Sequence, residues 1–162
     1  MNELKSEFLR LHVIRQVDLK TVASALNVPR NILSEWYAEL KDDRESIAKI
    51  RKIWIRKKIS GDFEDFFNWL AKLERKCAYC SITEKQIGIL LQEKHIYTKR
   101  ILTRGRSLEF DRKNPSLSYD DINNIVLCCY WCNNAKTDEF TYEEFTEVGK
   151  VFEAIWKKRL GL

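Results

Sequence analysis

Two Cys-x-x-Cys pairs, Cys77-Ala78-Tyr79-Cys80 and Cys129-Tyr130-Trp131-Cys132, stand 48 residues apart, and nothing else in the chain restricts its fold as much. Each such turn brings two thiolates within reach of one ion, and two turns together complete a four-sulfur tetrahedral site, the preferred environment of structural zinc. The separation is too long for a simple zinc ribbon. It suits a treble clef, in which a first knuckle and the start of a later helix close on the metal across a β-hairpin. Metal binding of this kind contributes on the order of 10 kcal/mol to folding. A thioredoxin-like redox pair would need a βαβ setting that neither motif has. The fifth cysteine, Cys128, follows the apolar Val126-Leu127 and reads as a small core residue.

Around the cysteines the pattern is helical, with only two Pro and five Gly to interrupt it. Leu4, Phe8, Leu11 and Ile14 keep a helical period over residues 2–16. Asp18 can cap a short helix carrying Val22, Ala25 and Leu26, which Pro29 breaks by pushing Val28 out of the helical region. A second helix follows, with Leu33, Trp36, Tyr37 and Leu40 on one face. Helix, three-residue turn and helix, with Ala23 and Ala25 at the expected crossing, resemble the helix-turn-helix units of transposases and phage terminase small subunits. Arg30, Asn31 and Ser34 would then face DNA, beside the less suitable Glu35 and Glu39.

Residues 43–59 predict a basic helix ended by Gly61, and Asp62 caps a helix whose Phe63, Phe66, Phe67, Leu70 and Leu73 face a core. Ser81-x-x-Glu84 and Thr141-x-x-Glu144 read as capping boxes. Short strands are expected at Leu108–Asp111 and Ile125–Cys129. The last helix presents Phe145, Val148, Phe152, Ile155 and Leu160 as its apolar face, expected to pack on the Phe63–Leu73 helix. Three regions follow: residues 1–43 as a DNA-binding helix-turn-helix, 44–75 as basic and aromatic connecting helices, and 76–162 as the zinc-bound domain with its terminal helix.

The net charge of +5 permits a nucleic-acid partner without requiring one. Clustering says more: Lys49–Lys58 holds six basic residues in ten, and a second run contains Lys99, Arg100, Arg104, Arg106, Arg112 and Lys113. No apolar run approaches the ~20 residues that would cross a bilayer, and the acidic amino terminus is unlike a secretory signal. The expectation is an intracellular, cytoplasmic protein.

A Cys-x-x-Cys, a strand ending in Asp-His, an Asn, and a closing Cys-x-x-Cys-[His/Asn]-x-x-Lys form the pattern of HNH (His-Me finger, ββα-metal) endonucleases. From Lys76 to Asp138 the chain resembles that family through CAYC, LEFDR, Asn124 and CYWCNNAK. The resemblance implies a mainly α-helical protein with a small zinc-bound ββα module. It also implies that Asp111 and Asn133 hold a catalytic Mg²⁺ or Mn²⁺, that Asn124 holds the loop between the strands, and that Lys136 meets a phosphate. Both proposed ligands offer hard oxygen, which suits those ions. The partner would be double-stranded DNA, gripped in part by Arg104 and Arg106.

The chain departs from the pattern at Arg112, where the family has its histidine base. A guanidinium stays protonated and cannot accept a proton from water, although it can grip the scissile phosphate. Losing a general base typically costs ~10²–10⁴ in rate. Two readings therefore stand: a metal-dependent HNH-type endonuclease, and a non-catalytic HNH-fold zinc protein acting as a DNA-binding or adaptor module. A zinc module that binds only proteins is a third.

Overall fold

The computed structural model describes residues 2–97 and 104–162, so Lys99, Arg100 and Thr103 lie outside the described residues. The chain divides into two compact units, Met1–Lys72 and Leu73–Leu162. The basic and aromatic helices belong to the first.

In the first unit, α1 (Glu3–Phe8) starts at Asn2, whose side chain accepts from the Leu4 amide. It widens at once into a π-helical segment, Leu9–Ile14, in which the Arg15 amide donates to the Arg10 carbonyl. This corrects the simple α-helical period expected over residues 2–16. Five-residue steps bring Leu9 and Ile14 onto one buried face, whereas Leu4 is 43% exposed. The Arg51 guanidinium closes the segment by donating to the Val13 carbonyl at 3.1 Å and to that of Ile14.

Helix α2 (Leu19–Leu26) is capped by Asp18, which accepts from the Lys20 and Thr21 amides. It ends at Asn27, φ +52°, and Pro29 leads into α3 (Arg30–Glu39). Val22 and Leu33 meet in the interior with no exposed surface, but Ala25 and Tyr37 are turned outward, so neither helps the two helices cross. Helix α4 (Lys41–Lys57) closes at Lys58, φ +54°, three residues before Gly61. On α5 (Phe63–Lys72), Phe63, Phe66 and Leu70 are buried, and the Phe63 ring meets the Trp54 ring edge-on at 5.5 Å. Each large apolar side chain so buried contributes about 1.5–3 kcal/mol.

The second unit opens with the first knuckle, whose turn is closed by the Ser81 amide donating to the Cys77 carbonyl at 2.9 Å. Helix α6 (Glu84–Gln92) begins at a capping box of Thr83 and Gln86, not Ser81 and Glu84. The reason is local: Ser81 occupies the left-handed region at φ +59° as part of the knuckle. Glu84 is spent elsewhere, on Arg75 and on the Leu108 amide.

Strands β1 (Glu109–Arg112) and β2 (Ile125–Cys128) pair antiparallel, with Glu109 opposite Cys128 and Asp111 opposite Val126. Helix α7 (Tyr130–Lys136) follows directly, with the Cys129 side chain capping it. Helix α8 (Tyr142–Leu160) starts at the Thr141–Glu144 capping box, as its sequence predicts.

One expectation about α8 is corrected. Its buried stripe is Phe145, Gly149 and Trp156, while Val148, Val151 and Ile155 are 42%, 61% and 39% exposed. Within its own unit α8 packs on α6 and α7, and within the first unit α5 packs on α4 and the π-helical segment. Gly149 explains the choice of face. A Cβ there would sit 2.3 Å from the Tyr79 carbonyl oxygen, so only glycine lets α8 lie against the first knuckle.

Candidate metal and active site

The four sulfur atoms of Cys77, Cys80, Cys129 and Cys132 lie within 4.8 Å of one another, all buried and none in a disulfide. The Sγ atoms of Cys80 and Cys129 are 3.7 Å apart. A tetrahedron with metal–sulfur bonds of ≈ 2.3 Å has edges of about 3.8 Å, so the spacing fits one tetrahedral ion. Crowding acts on the thiols in the same sense. Hydrogen bonds from Cys129, Cys132 and Cys80 draw the Cys77 thiol far below its ordinary range, while the bond to Cys129 pushes the Cys132 thiol far above. Four thiolates this close would repel one another without a cation between them. Cys128, adjacent in sequence, stands outside the cluster, and burial raises its thiol.

Beside the cluster, β1 and α7 face each other through two pairs of side chains. Residues two apart on a strand share a face, as do residues three apart on a helix. Accordingly Glu109 and Asp111 meet Asn133 and Lys136. The Asn133 amide donates through Nδ2 to Glu109 Oε2 at 2.5 Å. Arg104 holds the same carboxylate through Nε at 2.8 Å, and its guanidinium lies 5.1 Å from the centre of the Tyr130 ring.

The Asp111 carboxylate is 6% exposed and is held on its Oδ2 atom. That atom accepts from the Tyr79 hydroxyl at 2.7 Å and lies 3.4 Å from Lys136 Nζ. Among the described residues, Asp111 Oδ1 and Asn133 Oδ1 have no hydrogen-bond partner. Each side chain is thus clamped by one atom and leaves one hard oxygen free.

Lys136 does not reach a phosphate. It has no exposed surface, because its ammonium is turned inward to the Arg112 carbonyl, 2.9 Å away, and to Asp111. Asn124 ties down the inter-strand loop: its Oδ1 accepts from the Asn114 amide, and its Nδ2 donates to the carbonyls of Asn114 and Ser118. Arg112 follows Asp111 at the end of β1. It donates to the Leu117 carbonyl at 3.1 Å, pairs with Asp138, and sits 5.4 Å from the Tyr119 ring centre.

Among the described residues, neither tyrosine beside Asp111 is suited to act as a base at neutral pH. Burial pushes the Tyr119 phenol up to about 12, and burial followed by the Asp111 hydrogen bond carries Tyr79 higher still. His95 is paired with Glu93 at 3.2 Å, and His12 lies in the first unit, where its Nδ1 bonds the Val17 carbonyl at 2.8 Å.

Glu109 and Tyr79 are the residues that sequence reasoning missed. Glu109 could have been found, since it stands two before Asp111 on a strand. Tyr79 could not, since its reach depends on where the knuckle packs. Of the proposed DNA contacts, Arg30 and Asn31 are exposed, but the Ser34 hydroxyl is spent on the Arg30 carbonyl at 3.0 Å. Glu39 is neutralised by Lys5 at 2.6 Å. Arg104 is committed to Glu109, and Arg106 is exposed.

No helix among the described residues is long and apolar enough to cross a membrane. No protein-family model and no curated protein matches the chain. One solved structure does, that of the rare-cutting HNH restriction endonuclease PacI, reported with a mechanism of DNA perturbation. The match covers 69% of this chain and 77% of that one, with a TM-score of 0.51 at 23% identity. Mostly helical, with a two-stranded sheet and a four-cysteine cluster, this protein shares its fold with that solved structure.

Proposed function

We propose that the protein is an HNH-type endonuclease that binds double-stranded DNA and hydrolyses its phosphodiester bonds. The observation that carries this reading is the pair of free oxygens: Asp111 and Asn133 are each fixed by one atom and offer Oδ1. The cysteine cluster would hold structural zinc within a treble clef, and α2–α3 would serve as a helix-turn-helix. A divalent ion such as Mg²⁺ or Mn²⁺, when bound by Asp111 and Asn133, supplies Lewis-acid stabilisation of the charge developing on the phosphodiester.

The chain's own residues do the rest. Tyr79 and Lys136 fix the rotamer of Asp111 and offset its charge. Glu109, which can only accept, keeps the nitrogen of the Asn133 amide toward itself and so leaves the oxygen for a cation. Asn124 fixes the loop behind β1. Arg112 grips the phosphate after releasing Asp138, which is 83% exposed on its side chain and easily replaced by a stronger anion.

A plasmid-nicking assay with Mg²⁺ or Mn²⁺ tests the reading. Cleavage by the wild type but not by Asp111→Ala or Asn133→Ala is expected, and equal background from all three would refute it. Arg112→His is expected to accelerate cleavage. The second reading, a DNA-binding protein without catalysis, is favoured by the absence of any histidine bonded to Asp111, Arg112 or Asn133 among the described residues. It requires DNA affinity with no nicking.

A further inference from the structure

We propose that a cleft in the first unit, between the π-helical segment, α3 and α4, binds one nucleotide of a nucleic-acid strand. This rests on the DNA-binding reading and moves the main contact away from the outward face of α3. The cleft has a volume of about 350 Å³. Three of its lining residues are cationic, Arg44, Arg51 and Lys52, and none is a carboxylate.

The three cations differ in what they can offer. Arg51 is used internally, on the Val13 and Ile14 carbonyls. Lys52 is exposed and has no partner among the described residues. The Arg44 guanidinium lies over the Tyr37 ring, 3.4 Å from its centre, and its Nε donates to the Tyr37 carbonyl at 2.7 Å. Its two Nη groups have no partner among the described residues. A stacked, half-fixed guanidinium loses little freedom on gripping a phosphate with two parallel hydrogen bonds. Lys52, two turns along the same helix, supplies a second positive charge.

The rest of the cleft is suited to a base and sugar. Val13, Ile47, Ala48 and Ile55 give it apolar walls, and Ile55 is 60% exposed at its rim. His12 and Tyr37 add aromatic surface, with ring centres 5.7 Å apart. Because the His12 Nδ1 proton goes to the Val17 carbonyl, Nε2 remains as an acceptor for a base edge. Stacked aromatic and guanidinium groups beside cations are the usual platform for a nucleotide in a strand. The outward face of α3 compares poorly: it carries Glu35, and its Ser34 hydroxyl is already bonded.

Three single neutralisations in the whole chain separate the cleft from a general loss of charge, because each removes one positive charge. Binding of a fluorescein-labelled 20-mer, single-stranded and duplex, would be followed by anisotropy across a salt series. Arg44→Gln and Lys52→Gln are each expected to weaken binding roughly tenfold and to reduce the salt slope by about one, with Lys72→Gln, an exposed cation at the end of α5, changing affinity less than about threefold. Thymidine 5′-monophosphate should shift the His12 and Tyr37 ring resonances of the wild type and not those of Arg44→Gln. If the wild type binds DNA but Arg44→Gln and Lys52→Gln behave like Lys72→Gln, the cleft assignment is overturned and the DNA reading survives. If the wild type binds no nucleic acid, both fall.

Discussion

Gly149→Ala and Gly88→Ala are the same substitution in two helices, and the structure gives them opposite signs. Alanine is favoured over glycine within a helix by about 1 kcal/mol, and that gain applies to both. At Gly88, exposed on α6, a Cβ meets nothing within 4 Å, so the gain is kept. At Gly149 the new Cβ would stand 2.3 Å from the Tyr79 carbonyl oxygen, 2.7 Å from its carbon and 3.0 Å from its Cβ.

The obstacle at Gly149 is backbone. It cannot swing aside, since the knuckle is tied by the Ala78 amide to the Leu127 carbonyl at 2.8 Å and by the Ser81–Cys77 turn. Relieving the contact needs a shift of roughly 1 Å in α8 or in the knuckle, which places the cost near the upper end of overpacking, ~3 kcal/mol. The net is a destabilisation of about 2 kcal/mol, against a stabilisation of about 1 kcal/mol at Gly88. At 4–8 °C per kcal/mol, Gly149→Ala should lower Tm by roughly 10 °C and Gly88→Ala raise it by roughly 5 °C. Circular dichroism melts at one fixed zinc concentration would measure both, because bound metal itself shifts the midpoint. A Gly149→Ala protein as stable as the wild type would show that α8 does not rest on the knuckle.

Lys136→Met should cost about 3–5 kcal/mol in urea unfolding, because it leaves the Asp111 carboxylate buried without its cation. Adding Asp111→Asn should recover part of that loss, and simple additivity of the two changes would refute the pairing. Chelation of the metal should unfold the Leu73–Leu162 unit, seen as loss of near-ultraviolet dichroism from Trp131 and Trp156; an unchanged spectrum would mean the cluster is not a structural site. Zinc should restore the signal, and Cys132→Ser should abolish that rescue.

The parts legible in the sequence are those fixed by a few neighbouring residues. Asp18, Pro29 and Thr141 mark helix starts because a cap is a contact across two or three positions. The cysteine pairs announce their cluster because a knuckle is equally local. What the sequence hides is the competition for each side chain. Glu84 has the right spacing for a capping box but is drawn away by the Leu108 amide, 24 positions on. Lys136 reads as a surface cation until β1 supplies a carboxylate and a carbonyl to hold it inside. The apolar face of α8 misleads for a related reason. Valine and isoleucine outnumber the small residue at Gly149, yet shape decides the packing face and the larger residues are left in solvent. Asp111, Asn124 and Asn133 were recognisable by pattern, but which of their atoms are already engaged was not.

Cys128 and Cys129 are covalent neighbours with separate fates, and the difference gives the protein an internal gauge of its own opening. One thiol belongs to the cluster, and the other stands outside it at the end of β2, although neither has exposed surface. Opening of the cluster alone would release four thiols to a labelling reagent, while rupture of the core would release five. Counting labelled cysteines against time would therefore distinguish a breathing metal site from a melting domain, two events that an optical melt records as a single curve.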